Sequence, residues 1–475
     1  MDRRQQLFDR LAPVHQEQLL RFWPELSPAQ QEKLAGQLDE IDFNEMDQLI
    51  REYVLVRPKT RIPDDLGPAP YFPLVPKDEA QRALYEKAEA RGAELLRAGK
   101  VSCLTVAGGQ GTRLGFDGPK GTYPIAPVTG KTLFEYFASS ILRAGEKFGK
   151  PLTWYVMTSL LNREATEAFF CEHAFFGLAP EQVFFFTQGT MPAIGYDGKL
   201  LLAEKDSLSL SPNGHGGTLL ALRKSGALDR MKREGVEYLS YFQVDNPLIP
   251  VVNPLFVGLH DLENSEMSAI MLAKTGPFEK LGNFCVTQGH IEIIEYSDLP
   301  AELAESRNPD GSLRFIAGSP AIHVISREFI EHLTAGGSLK LPWHRADKKI
   351  PCLDEAGNLV KPSEPNGVKL ESFIFDAMPL AKRTMVLEGR REDLFAPTKN
   401  PTGVDSVESC RALLVDRDAR RLEAAGVKVP RTPEGKVDAL IELSPRRIFD
   451  QADVDAYVAE HNLREIARGA KLYLE

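Results

Sequence analysis

The stretch VSCLTVAGGQGTRLGFDGPKGT (101–122) decides the fold class of this chain. It begins with seven mostly apolar residues, which is typical of a buried strand, and continues into a loop with six glycines between residues 108 and 121. Glycine loses more backbone entropy on folding than any other residue, so this density needs a reason. Glycines let backbone N–H groups approach phosphate oxygens closely. A strand followed by such a loop predicts a phosphate-binding site.

Two well-known phosphate-binding motifs do not match this loop. The dinucleotide fingerprint GxGxxG fails because three residues separate Gly111 from Gly115. The P-loop motif GxxxxGK[ST] fails because Lys120 follows a proline. The loop retains two cations, Arg113 and Lys120, and such cations can neutralise a departing pyrophosphate when the α-phosphorus of a nucleoside triphosphate is attacked.

Outward from this loop, strand and helix patterns alternate. The predicted strands are 154–159, 183–188 and 238–246, and the predicted helices are 131–148, 162–174 and 216–234. This alternation predicts an α/β fold with a doubly wound, mainly parallel sheet and helices on both faces. Ligands of such sheets bind beyond the carboxyl ends of the strands, so the loops after residues 107, 188 and 243 are expected to form the site. Residues 260–345 are expected to be richer in strands and hairpin turns.

Both ends of the chain differ from this central pattern. Residues 1–56 have helical spacing, with Ser27 as an N-cap, Pro28 at the first helical position and Gln30 three residues after the cap. Six prolines between residues 58 and 76 predict an extended arm, and a helix is expected near 77–98. The predicted division is an N-terminal helical segment with its arm (1–98), a catalytic nucleotidyltransferase domain (99–395) and a small C-terminal domain (396–475).

Composition excludes several classes of protein. The 475 residues carry a net charge of −10, which argues against a general nucleic-acid binder. No apolar run reaches 18 residues and the N-terminus MDRRQQLFDRL lacks the apolar stretch of a secretory signal, so a cytoplasmic protein without a membrane span is expected. Five scattered cysteines without a CxxC pair argue against a disulfide framework or a zinc site.

Two polar residues stand at the carboxyl ends of predicted strands. Asp245 follows an apolar strand, where a carboxylate can bind Mg²⁺ or Mn²⁺, although VDN before a proline is also typical of a turn. Gln188 ends another strand, and its amide offers a donor and an acceptor to the edge of a base. Its alternative interpretation is an ordinary surface position at a strand end.

Other candidates are ambiguous from the residues alone. Lys399 lies in a proline-containing loop and by itself is typical of a solvated lysine. Phe373 and Phe375 are two residues apart and are expected to share one face of a strand, where core packing explains them equally well. Glu295 is equally ambiguous without further context.

The segment LTVAGGQGTRLG (104–115), extended by Pro119, Lys120 and Gly121, resembles the signature of the UDP-sugar pyrophosphorylase superfamily. Among its branches the chain most resembles the eukaryotic-type UDP-N-acetylglucosamine pyrophosphorylases, with motifs in matching order over nearly the whole length. Further motifs are QLLRFW (18–23), WYVMTS (154–159), FTQG (186–189), SPNGHGG (211–217), VDN (244–246), IEYS (294–297), AGS (317–319), KIP (349–351), PNGVK (365–369), FIFD (373–376) and APTKN (396–400).

This resemblance implies a nucleotide-diphospho-sugar transferase fold of the Rossmann-like type and a role for each matching residue. The implied nucleotide-binding residues are Gly108, Gly109, Gln188, Pro212, Gly214 and His215. The implied catalytic residues on the phosphates are Arg113, Lys120 and Lys399, and Asp245 is the implied ligand of Mg²⁺ or Mn²⁺. The implied sugar-binding residues are Glu295, Ser319, Lys369, Phe373 and Phe375.

Two departures from the acetamidosugar branch concern sugar recognition. That branch typically has AGNIANH where this chain has AGSPAIH (317–323), so Ser319 replaces the asparagine that contacts the sugar. His215 replaces another asparagine, and the resulting GHG resembles enzymes that use glucose 1-phosphate. A UDP-glucose or broad UDP-sugar pyrophosphorylase therefore remains an alternative. A non-catalytic nucleotide-sugar-binding regulator is a further alternative of another class.

The main prediction is a uridylyltransferase that uses UTP and N-acetylglucosamine 1-phosphate in a single in-line displacement. Its nucleophile, a phosphate oxygen, is already an anion, so the reaction needs neither a general base nor a covalent enzyme intermediate. The expected partners are these two small molecules, with no nucleic acid and no membrane. The sequence leaves the oligomeric state open and is compatible with a monomer.

Overall fold

The computed structural model describes residues 2–57 and 62–475, so the first proline of the predicted arm, Pro58, lies outside the described residues. The chain forms two compact units. The smaller unit consists of the residues up to Ile62 with Gln188–Gly217 and Lys340–Asp376, and the larger unit consists of Pro63–Thr187, Thr218–Leu339 and Ala377–Glu475. The predicted domain borders after residues 98 and 395 differ from the borders of these units and stay a prediction.

The described part of the larger unit is built on an eleven-stranded sheet. In spatial order its strands are Gly67–Pro68, Gly282–Thr287, Ala317–Ser319, Met267–Ala273, His323–Ser326, Tyr238–Gln243, Val101–Val106, Trp154–Thr158 and Val183–Thr187, with His290–Ile294 beside Gly282–Thr287 and Thr384–Gly389 beside Met267–Ala273. Seven of these eleven described strands point the same way. The prediction of an α/β fold with a large, mostly parallel sheet is therefore confirmed.

The two halves of this sheet are paired differently. The strands that begin at Tyr238, Val101, Trp154 and Val183 are joined by parallel ladders. Antiparallel ladders dominate the other half, where a hairpin joins Gly282–Thr287 to His290–Ile294 through Gln288 and Gly289. Both turn residues have positive φ, as the tight two-residue hairpin turn requires. The predicted strand-rich character of residues 260–345 is thus confirmed.

Helices surround the strands of the larger unit. They are Glu79–Arg97, Leu133–Phe148, Arg163–Glu172, Thr218–Lys224, Ala227–Glu234, Pro254–Leu262, Ala301–Ala304, Arg327–Leu333, Arg391–Leu394, Val407–Ala424 and Gln451–Glu460. The C-terminal part also contains a parallel pair of short strands, Leu440–Leu443 and Lys471–Leu474. None of the helices in residues 2–57 and 62–475 combines the length and apolarity needed to cross a membrane.

The single helix predicted over 216–234 is wrong. The structure has two helices there, Thr218–Lys224 and Ala227–Glu234, separated at Gly226. Gly226 has φ of 77°, a left-handed conformation that ends the first helix. The apolar spacing continues across the break, so periodicity alone did not reveal it.

The smaller unit combines N-terminal helices with short strands. The helices are Arg3–Leu11, Pro28–Asp39 and Phe43–Leu49, followed by a π-helical turn at Ile50–Leu55. The strands are Thr190–Pro192, Ile194–Gly195, Leu202–Glu204, Ser207–Leu208, Leu210–Pro212, His344–Lys348, Cys352–Leu353, Leu359–Val360 and Gly367–Glu371. Ser27 caps its helix in a capping box with Gln30, as predicted. Leu34 and Leu38 pack into one buried cluster with Ile194 and Val368.

Candidate active site

The glycine-rich loop folds back on itself directly after the strand Val101–Val106. The carbonyl oxygen of Gly109 accepts a hydrogen bond of 3.0 Å from the amide of Lys120, and the amide of Gly111 donates to the carbonyl of Gly118 at 2.9 Å. Asn162 reinforces the start of the loop, because its Nδ2 donates to the carbonyl of Gly109 at 3.3 Å. These bonds fix the loop without occupying the amides of Gly108 and Gly109, which have no acceptor in the described part of the chain.

Two positions of the loop favour glycine, one because of close packing and the other because of its backbone conformation. A Cβ atom at Gly121 would lie 2.2 Å from the ring of Phe134, so only glycine allows this close packing. Gly115 has φ of 69°, a conformation that L-residues with side chains rarely adopt. The loop is therefore held in one shape that presents backbone amides, as the sequence predicted.

Lys120 and Asp245 meet at the edge of the sheet. Their strands, Val101–Val106 and Tyr238–Gln243, are parallel neighbours with Gln243 opposite Val106, so the segments that follow leave the sheet side by side. The Nζ atom of Lys120 lies 3.5 Å from Oδ2 of Asp245. Both residues are buried, with exposed fractions of 9% and 8%. The structure thus brings together a predicted phosphate cation and the predicted metal ligand.

Backbone contacts attach the loop of Lys399 to the same region. The carbonyl of Asp245 accepts from the amide of Thr398 at 2.8 Å. The side chain of Asn246 donates to the carbonyl of Leu394 at 2.7 Å and accepts from the amide of Ala396 at 2.9 Å. Asn246 belongs to the VDN motif, but the sequence analysis assigns no role to it. Its structural role is to fix the segment that leads to Lys399.

Asp405 is a residue that the sequence analysis missed. Its carbonyl accepts from the amides of Lys399 at 2.7 Å and Asn400 at 3.0 Å, and its φ of 57° is left-handed. Burial raises the pKa of its carboxyl group, the positive charge of Lys399 opposes this, and the negative charge of Asp245 adds to it. Asp405 therefore lies in the electrostatic field of both predicted site residues. No motif marks this aspartate, and left-handed conformation is not visible in the sequence.

Asp245 fits the chemistry of a magnesium ligand. Mg²⁺ is usually bound by one or two carboxylates together with substrate phosphates and water, so a single buried carboxylate beside the glycine-rich loop is a sufficient protein contribution. Among the described residues no group of three or more histidine, cysteine, aspartate or glutamate side chains forms a complete cage. Arg113, the other predicted phosphate cation, is exposed and has no hydrogen bond or ion pair to the described residues.

On the same unit, Glu295 and Ser319 lie on either side of Gly282. Ser319 is opposite Gly282 in an antiparallel ladder, and Oε1 of Glu295 lies 3.5 Å from the position that a Cβ atom at Gly282 would take. Lys274 is close by and was missed by the sequence analysis. It is 6% exposed, its Nζ donates to Oδ1 of Asn283, and burial lowers its pKa.

In the smaller unit, Gln188 is fixed against the loop SPNGHGG (211–217). Gln188 is 7% exposed, and its Nε2 donates to the carbonyl of Gly214. Gly214 itself has φ of 85°, and a Cβ atom there would lie 2.2 Å from the carbonyl oxygen of Ser372. Pro212 ends a short strand that pairs with Thr190. Gln188, Pro212 and Gly214 therefore form one rigid cluster.

His215 belongs to an aromatic stack in the same unit. Its ring lies 5.1 Å from that of Phe373 at 15°, and the ring of His344 lies 4.2 Å from Phe373 at 22°. His344 is held by Asp376 at 2.8 Å, and the amide of Ile374 donates to Nδ1 of His215 at 3.1 Å. Burial, and to a lesser extent the charge of His344, lowers the pKa of His215 to about 4. His215 is therefore neutral at pH 7, and its uncharged ring presents a flat face for stacking.

The predicted strand around Phe373 and Phe375 is wrong. The strand ends at Glu371, and a 3₁₀ helix, Ile374–Leu380, follows. The two rings still meet, with centroids 5.2 Å apart, because the tight helical turn brings them together. Lys369 lies on the strand before this turn, and burial lowers its pKa.

The structure places every predicted site residue in one of the two units. The larger unit contains Gly108, Gly109, Arg113, Lys120, Asp245, Glu295, Ser319 and Lys399. The smaller unit contains Gln188, Pro212, Gly214, His215, Lys369, Phe373 and Phe375. Within the larger unit, Lys120 and Asp245 are in contact, whereas Arg113 is exposed. The roles of all these residues stay predictions.

Comparison with known proteins gives the family. The family model described as UTP–glucose-1-phosphate uridylyltransferase matches residues 73–458. The human UDP-N-acetylhexosamine pyrophosphorylase-like protein 1 is 36% identical over 94% of this chain and 94% of its own length. UDP-N-acetylglucosamine diphosphorylase 2 of Arabidopsis thaliana is 34% identical over 89% of this chain and 85% of its own.

A solved structure agrees with these sequence relatives. The uridine diphosphate N-acetylglucosamine pyrophosphorylase of Trypanosoma brucei, crystallised with an inhibitor, superposes with a TM-score of 0.79. It is 25% identical, and the match covers 98% of this chain and 99% of that one. Fold, glycine loop and sequence relatives lead to one conclusion. The chain belongs to the UTP–glucose-1-phosphate uridylyltransferase family.

Proposed function

We propose that this protein converts UTP and N-acetylglucosamine 1-phosphate into UDP-N-acetylglucosamine and pyrophosphate. The observation that carries this proposal is the buried pair of Lys120 and Asp245 beside the glycine loop. This pair provides a phosphate cation and a metal-binding carboxylate where two parallel strands end. The proposal is also supported by the names of the Arabidopsis thaliana diphosphorylase and the Trypanosoma brucei pyrophosphorylase, which match 89% and 98% of this chain and are both named for UDP-N-acetylglucosamine.

The proposed chemistry is a single in-line displacement. An oxygen of the sugar phosphate forms a bond to the α-phosphorus of UTP, and the bond from that phosphorus to the bridging oxygen of pyrophosphate breaks. The electron pair leaves with pyrophosphate, so no proton has to be moved. A divalent cation on Asp245 would neutralise charge on the triphosphate.

The chain's own residues align two polyanions and compensate their charge. The amides of Gly108 and Gly109 approach the nucleotide, and Lys120 faces the departing phosphates. Lys399 holds the sugar phosphate on the loop that Thr398 and Asp405 fix. Arg113 is exposed and has no partner among the described residues, so it is available for the leaving group.

We assign base recognition to Gln188, supported by Pro212, Gly214 and His215. One amide hydrogen of Gln188 is bound to Gly214, which fixes the orientation of the side chain toward a uracil edge. We assign the sugar to Glu295, Ser319, Lys369, Phe373 and Phe375. The doubly wound Rossmann-like arrangement of nucleotide-diphospho-sugar transferases and the small C-terminal domain are part of the same proposal. Mg²⁺ or Mn²⁺ as the cation and a cytoplasmic location also belong to this proposal.

A second candidate function is a UDP-glucose or broad UDP-sugar pyrophosphorylase. The observation that favours it is Ser319, a short side chain beside Glu295 and Gly282 where acetamidosugar enzymes carry asparagine. A serine hydroxyl reaches less far than an asparagine amide and is a smaller contact for an acetamido group.

The deciding experiment measures pyrophosphate release with UTP and Mg²⁺ on three sugar 1-phosphates in parallel: N-acetylglucosamine, glucose and galactose. The proposal expects the highest kcat/KM with the acetamidosugar. Preference for glucose would establish the second candidate. Binding of UTP without pyrophosphate release on any sugar would instead support the non-catalytic regulator.

A further inference from the structure

A cavity of the larger unit lies among the helix Val407–Ala424, the segment Pro247–Val251 and residues 393–394. Its volume is about 120 Å³, which is room for several water molecules or for one small ion. Tyr136, Ser140, Arg417 and Arg421 contribute polar side chains to its wall. The sequence analysis assigned no function to any of these residues.

One of the two arginines, Arg417, has a carboxylate partner. Arg417 is 6% exposed, and its guanidinium lies 2.7 Å from Oδ1 of Asp418 and 2.7 Å from the hydroxyl of Tyr136. Asp418 in turn accepts from the amide of Leu443 at 2.8 Å. This network balances the charge of Arg417 inside the protein, as a buried cation requires.

The other arginine, Arg421, has no such partner among the described residues. Arg421 lies one helical turn after Arg417, so the two like charges face the same side of the helix. Its guanidinium makes no hydrogen bond and no ion pair with residues 2–57 or 62–475. Burial and the charge of Arg417 lower the pKa of Arg421. An arginine presents five donors in a planar fork, and Arg421 lines the cavity without a hydrogen bond from this fork to the described residues, although the charges of Asp418 and Asp393 act on it.

We propose that this cavity binds a small phosphate-type oxyanion, with Arg421 as its principal ligand. A planar guanidinium matches the oxygens of such an anion in a bidentate arrangement. A bound oxyanion would supply the missing acceptor for Arg421 and would reduce its repulsion with Arg417. The hydroxyl of Ser140 lies on the same wall, but it already donates to the carbonyl of Tyr136 at 3.1 Å, so Arg421 carries the proposed binding.

The balance of charges in the lining favours an anion over a cation. Among the lining residues Asp393 carries the opposite charge, but it already pairs with Arg420 at 2.7 Å. The cavity therefore has two cationic groups and no unpaired carboxylate in its described lining.

This site adjoins the segments that carry the proposed catalytic residues. The segment Pro247–Val251 begins two residues after Asp245, and the carbonyl of Leu394 accepts a hydrogen bond from the side chain of Asn246. A bound anion would therefore lie beside the backbone segment that follows Asp245.

The experiment titrates inorganic phosphate into the full chain by calorimetry and compares the wild type with Arg421→Gln and the control Arg233→Gln. Arg233 is exposed on the helix Ala227–Glu234 and has no hydrogen bond or ion pair to the described residues. Loss of one charge-assisted partner should weaken phosphate binding roughly tenfold to a hundredfold in Arg421→Gln and leave Arg233→Gln unchanged. Equal affinity in all three proteins, or no binding to the wild type, overturns the proposal.

Two further measurements are needed to interpret the calorimetric result. In urea unfolding without phosphate, Arg421→Gln should be at least as stable as the wild type, because the substitution removes a repulsion between like charges. A marked loss of stability would make Arg421 a structural residue and overturn the proposal. Glycerol 3-phosphate serves as the bulkier probe. Arg421-dependent binding of phosphate alone identifies a free-ion site, and Arg421-dependent binding of both identifies a site for phosphate groups on metabolites. This binding test does not depend on the proposed enzymatic activity.

Discussion

At the scale of single residues, Lys120 and Asp245 are almost withdrawn from water, and each is the nearest opposite charge of the other. Such a pair contributes little net stability, because desolvation offsets the attraction. Its value lies in function. A lysine held against a carboxylate is oriented before the substrate arrives, so little reorganisation is needed when charge develops on the departing phosphates.

Replacing Lys120 by Met should therefore damage catalysis severely. We expect kcat to fall by about 10²–10³-fold, which corresponds to roughly 2.7–4 kcal/mol of barrier, by analogy with the loss of one transition-state donor. The measurement is steady-state pyrophosphate release with saturating UTP. Lys232→Met, an exposed lysine on the helix Ala227–Glu234, is the matched control. Turnover within twofold of the wild type in Lys120→Met would refute the mechanism.

Ser319 permits a second prediction at this scale. Ser319→Asn should raise kcat/KM for N-acetylglucosamine 1-phosphate relative to glucose 1-phosphate by roughly two- to tenfold, the value of one neutral hydrogen bond. His215→Asn tests the other departure from the acetamidosugar branch in the same assay. An unchanged ratio in Ser319→Asn would show that this position does not contact the acetamido group.

The sequence identified Lys120 and Asp245 because a glycine loop and a strand end mark them. It did not identify Asp405 or Lys274. Asp405 depends on a left-handed turn after a proline-containing loop, and Lys274 depends on a ladder that places Asn283 beside it. The first depends on local backbone conformation and the second on the order of strands in the sheet, and neither is encoded by periodicity or local motifs.

At the scale of elements, His260 links one helix to two strands. It lies on Pro254–Leu262 with no exposed surface, its Nδ1 lies 2.7 Å from Oγ of Ser268 and its Nε2 lies 2.9 Å from Oγ of Ser326. Burial lowers the pKa of His260 to about 3. Between pH 6.5 and 3 the unfolded chain therefore binds a proton that the folded protein excludes.

This difference predicts a pH-dependent stability. The contribution of His260 is complete above pH 6.5, and it declines by about 1.4 kcal/mol per pH unit as the pH falls through this window. His260→Gln removes the titration, so its deficit in unfolding free energy relative to the wild type should shrink by about 2 kcal/mol between pH 7.5 and pH 5. Urea unfolding at both pH values measures this. His290→Gln, at an exposed position, should show a constant difference; a constant difference for His260→Gln as well would contradict the prediction.

Elements near the glycine loop were predicted well because their apolar periods are regular. The failures have local causes. Gly226 divides a helix without interrupting its apolar spacing, and the strand expected at Phe373 ends early because the chain turns into a 3₁₀ helix there. In both places backbone geometry, and not hydrophobicity, determines the outcome.

At the scale of the whole molecule, the larger unit contains residues far apart in the sequence. Glu442, on the C-terminal strand Leu440–Leu443, is 1% exposed. Its carboxylate accepts from the amides of Val128 and Thr129 at 2.8 Å each and from the hydroxyl of Thr129 at 2.6 Å. The C-terminal part is thereby joined to the turn that follows the glycine loop.

Glu442→Gln should destabilise the protein by about 1.5–3 kcal/mol, because a charged acceptor is replaced by an amide whose donor end cannot serve these N–H groups. The urea midpoint of unfolding measures the effect. Glu465→Gln, an exposed carboxylate in the same C-terminal part, should stay within about 0.5 kcal/mol of the wild type. Equal stability of both variants would mean that the C-terminal part is not anchored through Glu442.

The composition of the smaller unit has a consequence for synthesis on the ribosome. Its N-terminal helices pack against segments that end only at Asp376, which is 314 residues after Ile62. At roughly 5–20 residues per second, the last of these partners emerges about 16–63 s after the first helices. During this interval the apolar faces of residues such as Leu34 and Leu38 have no permanent cover. The nascent chain is therefore a natural client for holding chaperones until its middle part has been made.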